Sequence, residues 1–148
     1  MAITQDRIDF DLKKSEAEKA FHYKILTHYE NKDVSGTADV FFKNLEHYNC
    51  KKCRYSNSVY KDCLKKGLGS EDIICHLKFF YPNGGKFRKE YMRNGVGRIT
   101  LDHIIEDVSE QNGKMIYVFS TTEFMENFLN KHHFEHSSNF DFQYYLYI

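Results

Sequence analysis

Apolar and polar residues alternate along the early part of the chain. Phe21, Tyr23 and Ile25 share one face and His22, Lys24 and Leu26 the other, the two-residue period of a strand. Glu30-Asn31-Lys32-Asp33 supplies a polar turn, and residues 36–42, rich in Thr, Val and Phe, form a second short strand of a hairpin. Ile8, Phe10 and Leu12 alternate within residues 3–12, a candidate first strand. Residues 13–20 suit either a helical turn or a continuation, and periodicity does not choose between them. Residues 44–70 hold three of the cysteines and several lysines, and predict helical turns and loops. Residues 73–81 form a strong strand, closed by Pro82-Asn83-Gly84-Gly85.

The last third is more sharply patterned. From Val96 the apolar residues fall at Leu101, Ile104, Ile105 and Val108, the spacing of one helical face. Asn112-Gly113 stops that helix, because both residues tolerate positive φ. Residues 115–119 are a continuous apolar run of strand length, suited to burial on both faces. Thr121 or Thr122 can cap a further helix with Phe124, Phe128 and Leu129 on its inner face. Phe134-Glu135-His136 begins another strand, Ser137-Ser138-Asn139 turns it, and residues 140–148 close the chain as an aromatic strand.

Length adds that one domain spans the whole of residues 1–148, with residues 44–70 as an atypical Cys- and Lys-rich insert. Basic and acidic residues balance at 21 each, so net charge calls for neither nucleic acid nor an anionic membrane. Lys51-Lys52-Arg54 reads as solvated surface, whereas Lys86-Arg88-Lys89 precedes a glycine loop and suits a phosphate. No run approaches the roughly 18 apolar residues of a membrane span. Residues 1–11 are polar with no apolar core of the signal-peptide type, which predicts a cytoplasmic protein. Four cysteines in such a chain predict reduced thiols and no metal. The competing arrangement is zinc on Cys50 and Cys53 with Cys63 and Cys75 or His47; the second chelating pair of the usual pattern is missing.

The central chemical feature is Arg93-Asn94-Gly95-Val96-Gly97-Arg98, between a strand and a helix. Glycines let the backbone approach a ligand closely. The first amides of a helix lack internal partners and, with the helix dipole, form an anion site. Alone, the Gly-x-Gly reads first as an ordinary glycine turn before a helix. A Rossmann site lacks its third glycine and its acidic residue, and a P-loop lacks Gly-Lys-Ser/Thr.

The order of these signals resembles the GNAT N-acetyltransferases, over roughly residues 72–148. The residues that carry it are Met92-Arg93-Asn94-Gly95-Val96-Gly97, the following helix, Gly113-Lys114-Met115-Ile116-Tyr117-Val118-Phe119, and the phrase from Phe124 to Phe134. The resemblance implies an α/β (α+β) acyl-CoA N-acyltransferase fold, a mixed central β-sheet flanked by helices and splayed beside the glycine loop. It implies acetyl-CoA as cosubstrate, its pyrophosphate on the amides of Gly95, Val96, Gly97 and Arg98 with Arg93 and Asn94 alongside. The pantetheine arm would pair with the strand at Leu77, Lys78 and Phe79. An amine acceptor would attack the thioester directly, and a homodimer is compatible with this reading.

Three positions depart from the family pattern: Met92 stands for the leading Arg or Gln, Leu129 for the tyrosine that protonates the leaving thiolate, and His133 for the glycine of a Gly-Phe pair. Only residues 13–20 are available for the two helices that usually follow the first strand. His76 is the candidate base, and Tyr117, Tyr144 and Tyr145 are candidate proton donors; Tyr117 and Tyr144 are the preferred pair. Aromatic packing is the alternative role for each tyrosine. A non-catalytic CoA-binding or interaction module on the same fold, and a zinc-stabilised binding protein, are the competing functions.

Overall fold

A computed structural model describes residues 3–29, 32–80, 95–120 and 122–148, without the side chains of Lys32, Phe79 and Phe80. Strands β1 (Ile8–Ser15), β2 (Ala20–Tyr29) and β3 (Lys32–Asn44) are followed by helix α1 (Arg54–Lys65) and β4 (Ile73–Phe80). Then come α2 (Val96–Glu110), β5 (Gly113–Phe119), α3 (Glu123–Lys131), β6 (Glu135–His136) and β7 (Gln143–Tyr147). The strand order is β1-β2-β3-β4-β5-β7-β6; β4 and β5 run parallel and the β5–β7 and β6–β7 pairs antiparallel, so the sheet is mixed. Among the described residues no helix is long and apolar enough to cross a membrane.

The chain divides into two compact units. The first holds residues 1–40 and 78–107, and the second residues 41–77 and 108–148. In the first, β1 does not give way to a helix after Leu12. It runs on to Ser15 and pairs residue for residue with β2, from Ile8↔Thr27 to Ser15↔Ala20. Lys19, at φ 50°, makes the tight return. The apolar face of this hairpin meets α2: Phe10 stacks on His103 at 4.1 Å between centroids, and the Tyr23 hydroxyl donates to Asp107 at 2.7 Å. On the other face, His22 lies between Asp39 and Glu18, and His28 between Asp9 and Asp33.

In the second unit, α1 buries Val59 and Cys63 with Leu45, Tyr48, Ile74, Met115, Tyr117 and Tyr145 in one core cluster. Asn112, at φ 61°, ends the turn after α2 as expected. Thr122 caps α3 by accepting from the Met125 amide, but the inner face of that helix is narrower than the sequence predicts. Leu129 is buried, Phe128 is half-buried and Phe124 is exposed, because nine residues make only two and a half turns against the sheet. The aromatic run at the C-terminus pairs as a strand only from Gln143.

Gly113 is confined by sterics. A Cβ there would meet Val108 Cγ1 at 2.4 Å, Cys75 Sγ at 3.0 Å and the Val108 carbonyl at 3.1 Å. Gly113→Ala should therefore destabilise the protein by about 1–3 kcal/mol, read as a lower midpoint in urea unfolding.

The two clamped histidines give a pH dependence. Hydrogen bonding to Asp39 raises His22 above its ordinary 6.5, and hydrogen bonding to Asp9 and then Asp33 raises His28. Raised values in the folded state mean that the stabilisation is full below pH 6.5 and is lost as pH climbs through the raised values. Tm should be higher at pH 6 than at pH 8.5, and His22→Gln with His28→Gln should flatten that difference.

Candidate functional site

The feature that organises the second unit is where β4 and β5 part. Their register runs from Ile73↔Gly113 through Ile74↔Met115 and Cys75↔Ile116 to His76↔Tyr117, and there the pairing ends. Strand β4 continues to Phe80. Strand β5 continues against β7, through Val118↔Tyr144 to Phe119↔Gln143. Among the described residues no rung joins β4 to β5 beyond His76↔Tyr117, and where two strands part an extended ligand can take a place beside one of them.

His76 and Tyr117 stand at this fork. Their rings stack at 4.4 Å with an angle of 6° between planes. The Tyr117 hydroxyl donates to the Tyr48 hydroxyl at 3.1 Å, and the Phe41 ring lies 6.4 Å from His76. Burial keeps both phenols protonated: Tyr48 is pushed up to about 12, and Tyr117 further still by burial and the neighbouring Tyr48. His76 is half-buried, held face-on by a ring that is itself anchored.

Tyr144 lies on the opposite face of the sheet, since it pairs with Val118 and not with Tyr117. It sits 4.9 Å from the His136 ring, and burial first, then Glu126, raises its phenol. Tyr145, on the same face as Tyr117, is taken up by structure. Its hydroxyl donates to Asp62 at 2.7 Å. The structure thus brings His76 and Tyr117 together and separates Tyr144 from them.

In the first unit, Gly95 precedes α2 at φ 84°, in the left-handed region that glycine tolerates. The first internal hydrogen bond of the helix is from the Ile99 amide to the Gly95 carbonyl at 3.1 Å. The amides of Val96, Gly97 and Arg98 therefore have no partner within the helix. Val96 and Gly97 are buried and Arg98 is exposed. On β4, Leu77 is buried and Lys78 exposed. Arg93 and Asn94 lie outside the described residues, as do residues 82–85, the cluster Lys86-Arg88-Lys89 and Met92.

Leu129 in α3 and His133 just after it, the two departures from the resembled pattern, have different outcomes. Leu129 is fully buried, an apolar core position in place of a reactive phenol. His133 adopts φ 70°, so the left-handed turn that glycine normally supplies is kept by a bulkier residue. The amides of His132, His133 and Phe134 close the helix end by donating to Phe128, Asn130 and Leu129.

One residue that the sequence did not single out is Asp62. It is buried on α1 and accepts from Ser137 Oγ at 2.6 Å, Asn139 Nδ2 at 2.5 Å and Tyr145 Oη at 2.7 Å. It fastens α1 to the β6–β7 turn. Its sequence signal was the one acidic position among lysines in residues 51–66.

All four cysteines are free thiols, and among the described residues no group of three or more His, Cys, Asp or Glu converges as a metal ion requires. Cys63 and Cys75 are buried, and burial pushes each thiol up to about 12. Cys53, at the start of α1, is lowered by hydrogen bonding to Ser56.

No family model and no curated protein matches the chain. A solved structure does: AtaT complexed with acetyl-methionyl-tRNAfMet, with a TM-score of 0.55 and 9% identity, over 88% of this chain and 72% of that one. The chain has a mixed α/β, GNAT-like fold.

The thiols divide into two classes. Iodoacetamide at neutral pH should modify Cys53 first and exposed Cys50 next, because the thiolate is the reactive form. Cys63 and Cys75 should react only after denaturation, as peptide mass spectrometry would show.

Proposed function

We propose that this protein is an acetyl-CoA-dependent N-acetyltransferase in which an amine attacks the thioester directly. The observation that carries the reading is the end of the β4–β5 ladder at His76↔Tyr117 while β5 stays paired with β7. A pantetheine arm carries two amides, and it would lie alongside β4 past the last rung that β4 shares with β5. The amides of Val96, Gly97 and Arg98 are suited to its pyrophosphate, with Arg98 adding charge. Leu77, Lys78 and Phe79 are the pantetheine positions, and Gly95, Arg93 and Asn94 complete the loop.

In this reading the amine nitrogen bonds to the thioester carbonyl carbon, and the carbon–sulfur bond breaks. His76 takes the proton that the amine releases, and its stack on Tyr117 fixes the plane in which it can do so. The departing thiolate needs a proton, and Tyr117 and Tyr144 are the phenols proposed to give it. Both retain their protons at neutral pH, a condition for a proton donor. AtaT is solved with an acetylated aminoacyl-tRNA. An RNA-borne amine therefore joins small amines and peptide N-termini as a class of acceptor, and the expectation of no nucleic-acid partner rests on net charge alone.

A second reading, a non-catalytic CoA-binding module, is favoured by one observation: fully buried Leu129 stands where the family carries its proton-donating tyrosine. Binding is common to both readings, and turnover separates them.

Acetyl-CoA at about 100 times its Kd should stabilise the protein by about 2.7 kcal/mol, seen as a raised Tm. Gly97→Val should remain folded, since Leu101, Ile104 and Val108 anchor α2, yet lose most CoA affinity in calorimetric titration. Arg98→Ala should lose less, because the amides remain. His76→Gln should keep CoA affinity and lower thioester turnover about 100-fold. Unchanged CoA affinity in folded Gly97→Val would remove the phosphate from α2, and the absence of turnover with every amine class would favour the non-catalytic module.

A further inference from the structure

At the end of β5, past the fork, four aromatic rings gather on the surface of the second unit. Tyr55 at the start of α1 lies 5.5 Å from Phe119 and 4.8 Å from Phe140. Phe142 lies 5.7 Å from Phe119 and 5.8 Å from Phe140. Tyr55, Phe119 and Phe142 are 52%, 41% and 41% exposed, so solvent covers much of three large rings. Contiguous exposed apolar surface of this kind marks a binding site more often than a lone exposed ring does.

The charge beside these rings decides what they suit. Arg54 sets its guanidinium over Phe140, 5.4 Å from the centroid. Lys51 and Lys52, both exposed, precede it with Cys53 between. Lys61 is two helical turns on from Arg54, on the same side of α1 and about 10 Å along its axis. Residues 43–66 hold seven basic and two acidic residues in a chain that is balanced as a whole. One of those acids, Asp62, is turned inward and occupied by its three donors. Lys51, Lys52, Arg54 and Lys61 are all exposed, against one exposed acid, Asp141, between Phe140 and Phe142.

We propose that this surface binds single-stranded nucleic acid, with bases stacked on the exposed rings and phosphates met by Lys51, Lys52, Arg54 and Lys61. Flat rings accept any unstacked base, and a row of cations tracks the backbone. A small aromatic amine would carry its own positive charge against these cations. Lysine is depleted in protein interfaces relative to the rest of a surface, whereas exposed Lys51, Lys52 and Lys61 accompany Arg54 here. A membrane anchor would extend its rings from a loop tip, whereas here they brace one another edge-to-face at a sheet end. The surface is defined without reference to CoA, so its test stands apart from that reading.

The test is fluorescence anisotropy of the full chain with a labelled uridine oligomer of about 12 nucleotides, against a duplex of equal length. We expect saturable binding at low salt that weakens as salt rises, with the duplex bound less tightly. Tyr55→Ala with Phe140→Ala should weaken single-strand binding about tenfold or more. Lys51→Gln, Lys52→Gln and Arg54→Gln together should lower the slope of log Kd against log salt by about 2. Circular dichroism checks folding. If the double alanine variant unfolds, Tyr55→Leu keeps apolar bulk, removes the flat ring and should still weaken binding. No saturable binding, equal affinity for the duplex, or full affinity in the folded aromatic variant would overturn the proposal. So would binding to anionic phospholipid vesicles, lost in the same variants, with no binding to the oligomer.

Discussion

Strand β5 has two neighbours and can keep only one of them along its length. For its first part it is shared, paired to β4 as far as Tyr117 and to β7 throughout. Backbone groups need partners, and past Tyr117 the β5 rungs are those to β7. The antiparallel side wins here, where Val118 and Phe119 stay with Tyr144 and Gln143. The stack of His76 on Tyr117, and the phenol pair of Tyr117 with Tyr48, fix the last shared rung.

The segment between β3 and β4 compensates for a different absence. The hairpin of β1 and β2 closes tightly at Lys19 and leaves no room for helices after the first strand. Helix α1 comes later in the chain, from residues 54–65, and covers the core around Ile74, Met115 and Tyr117. Leu45 and Glu46 tie the approach to α1 back to the start of β4, their amides donating to Asp72 and Ser70. The insert is thus part of the packed core of its unit.

What the sequence made legible follows from periodicity. The strands around Phe21, Ile73 and Met115, the helix from Val96 and the Thr122 cap are all written in local patterns, and the structure has them. Helix α1 was hidden because its inward face is largely polar. Ser58, Asp62 and Cys63 sit beside Val59, and a buried aspartate is invisible to a hydrophobic period. The extent of the first hairpin was missed at Lys13 and Lys14 because a two-residue period is masked when an outer strand carries polar residues on both faces. The fork at His76 was reachable only through family resemblance. The ring cluster was unreachable, because Tyr55, Phe119, Phe140 and Phe142 are far apart in sequence and each alone reads as core.

Asp62 has a bearing on the order in which the chain can assemble. Its donors Ser137, Asn139 and Tyr145 lie 75 to 83 residues further on. Each unit is also stitched from two separated segments. The first unit has all its residues once position 107 has been made, whereas the second must wait for the final strand. Closing so long a loop costs entropy before any hydrogen bond is returned. During synthesis, helix α1 therefore emerges with its buried carboxylate still in water. The lock between it and the turn before β7 forms only once residues 137–145 have been made and can fold back.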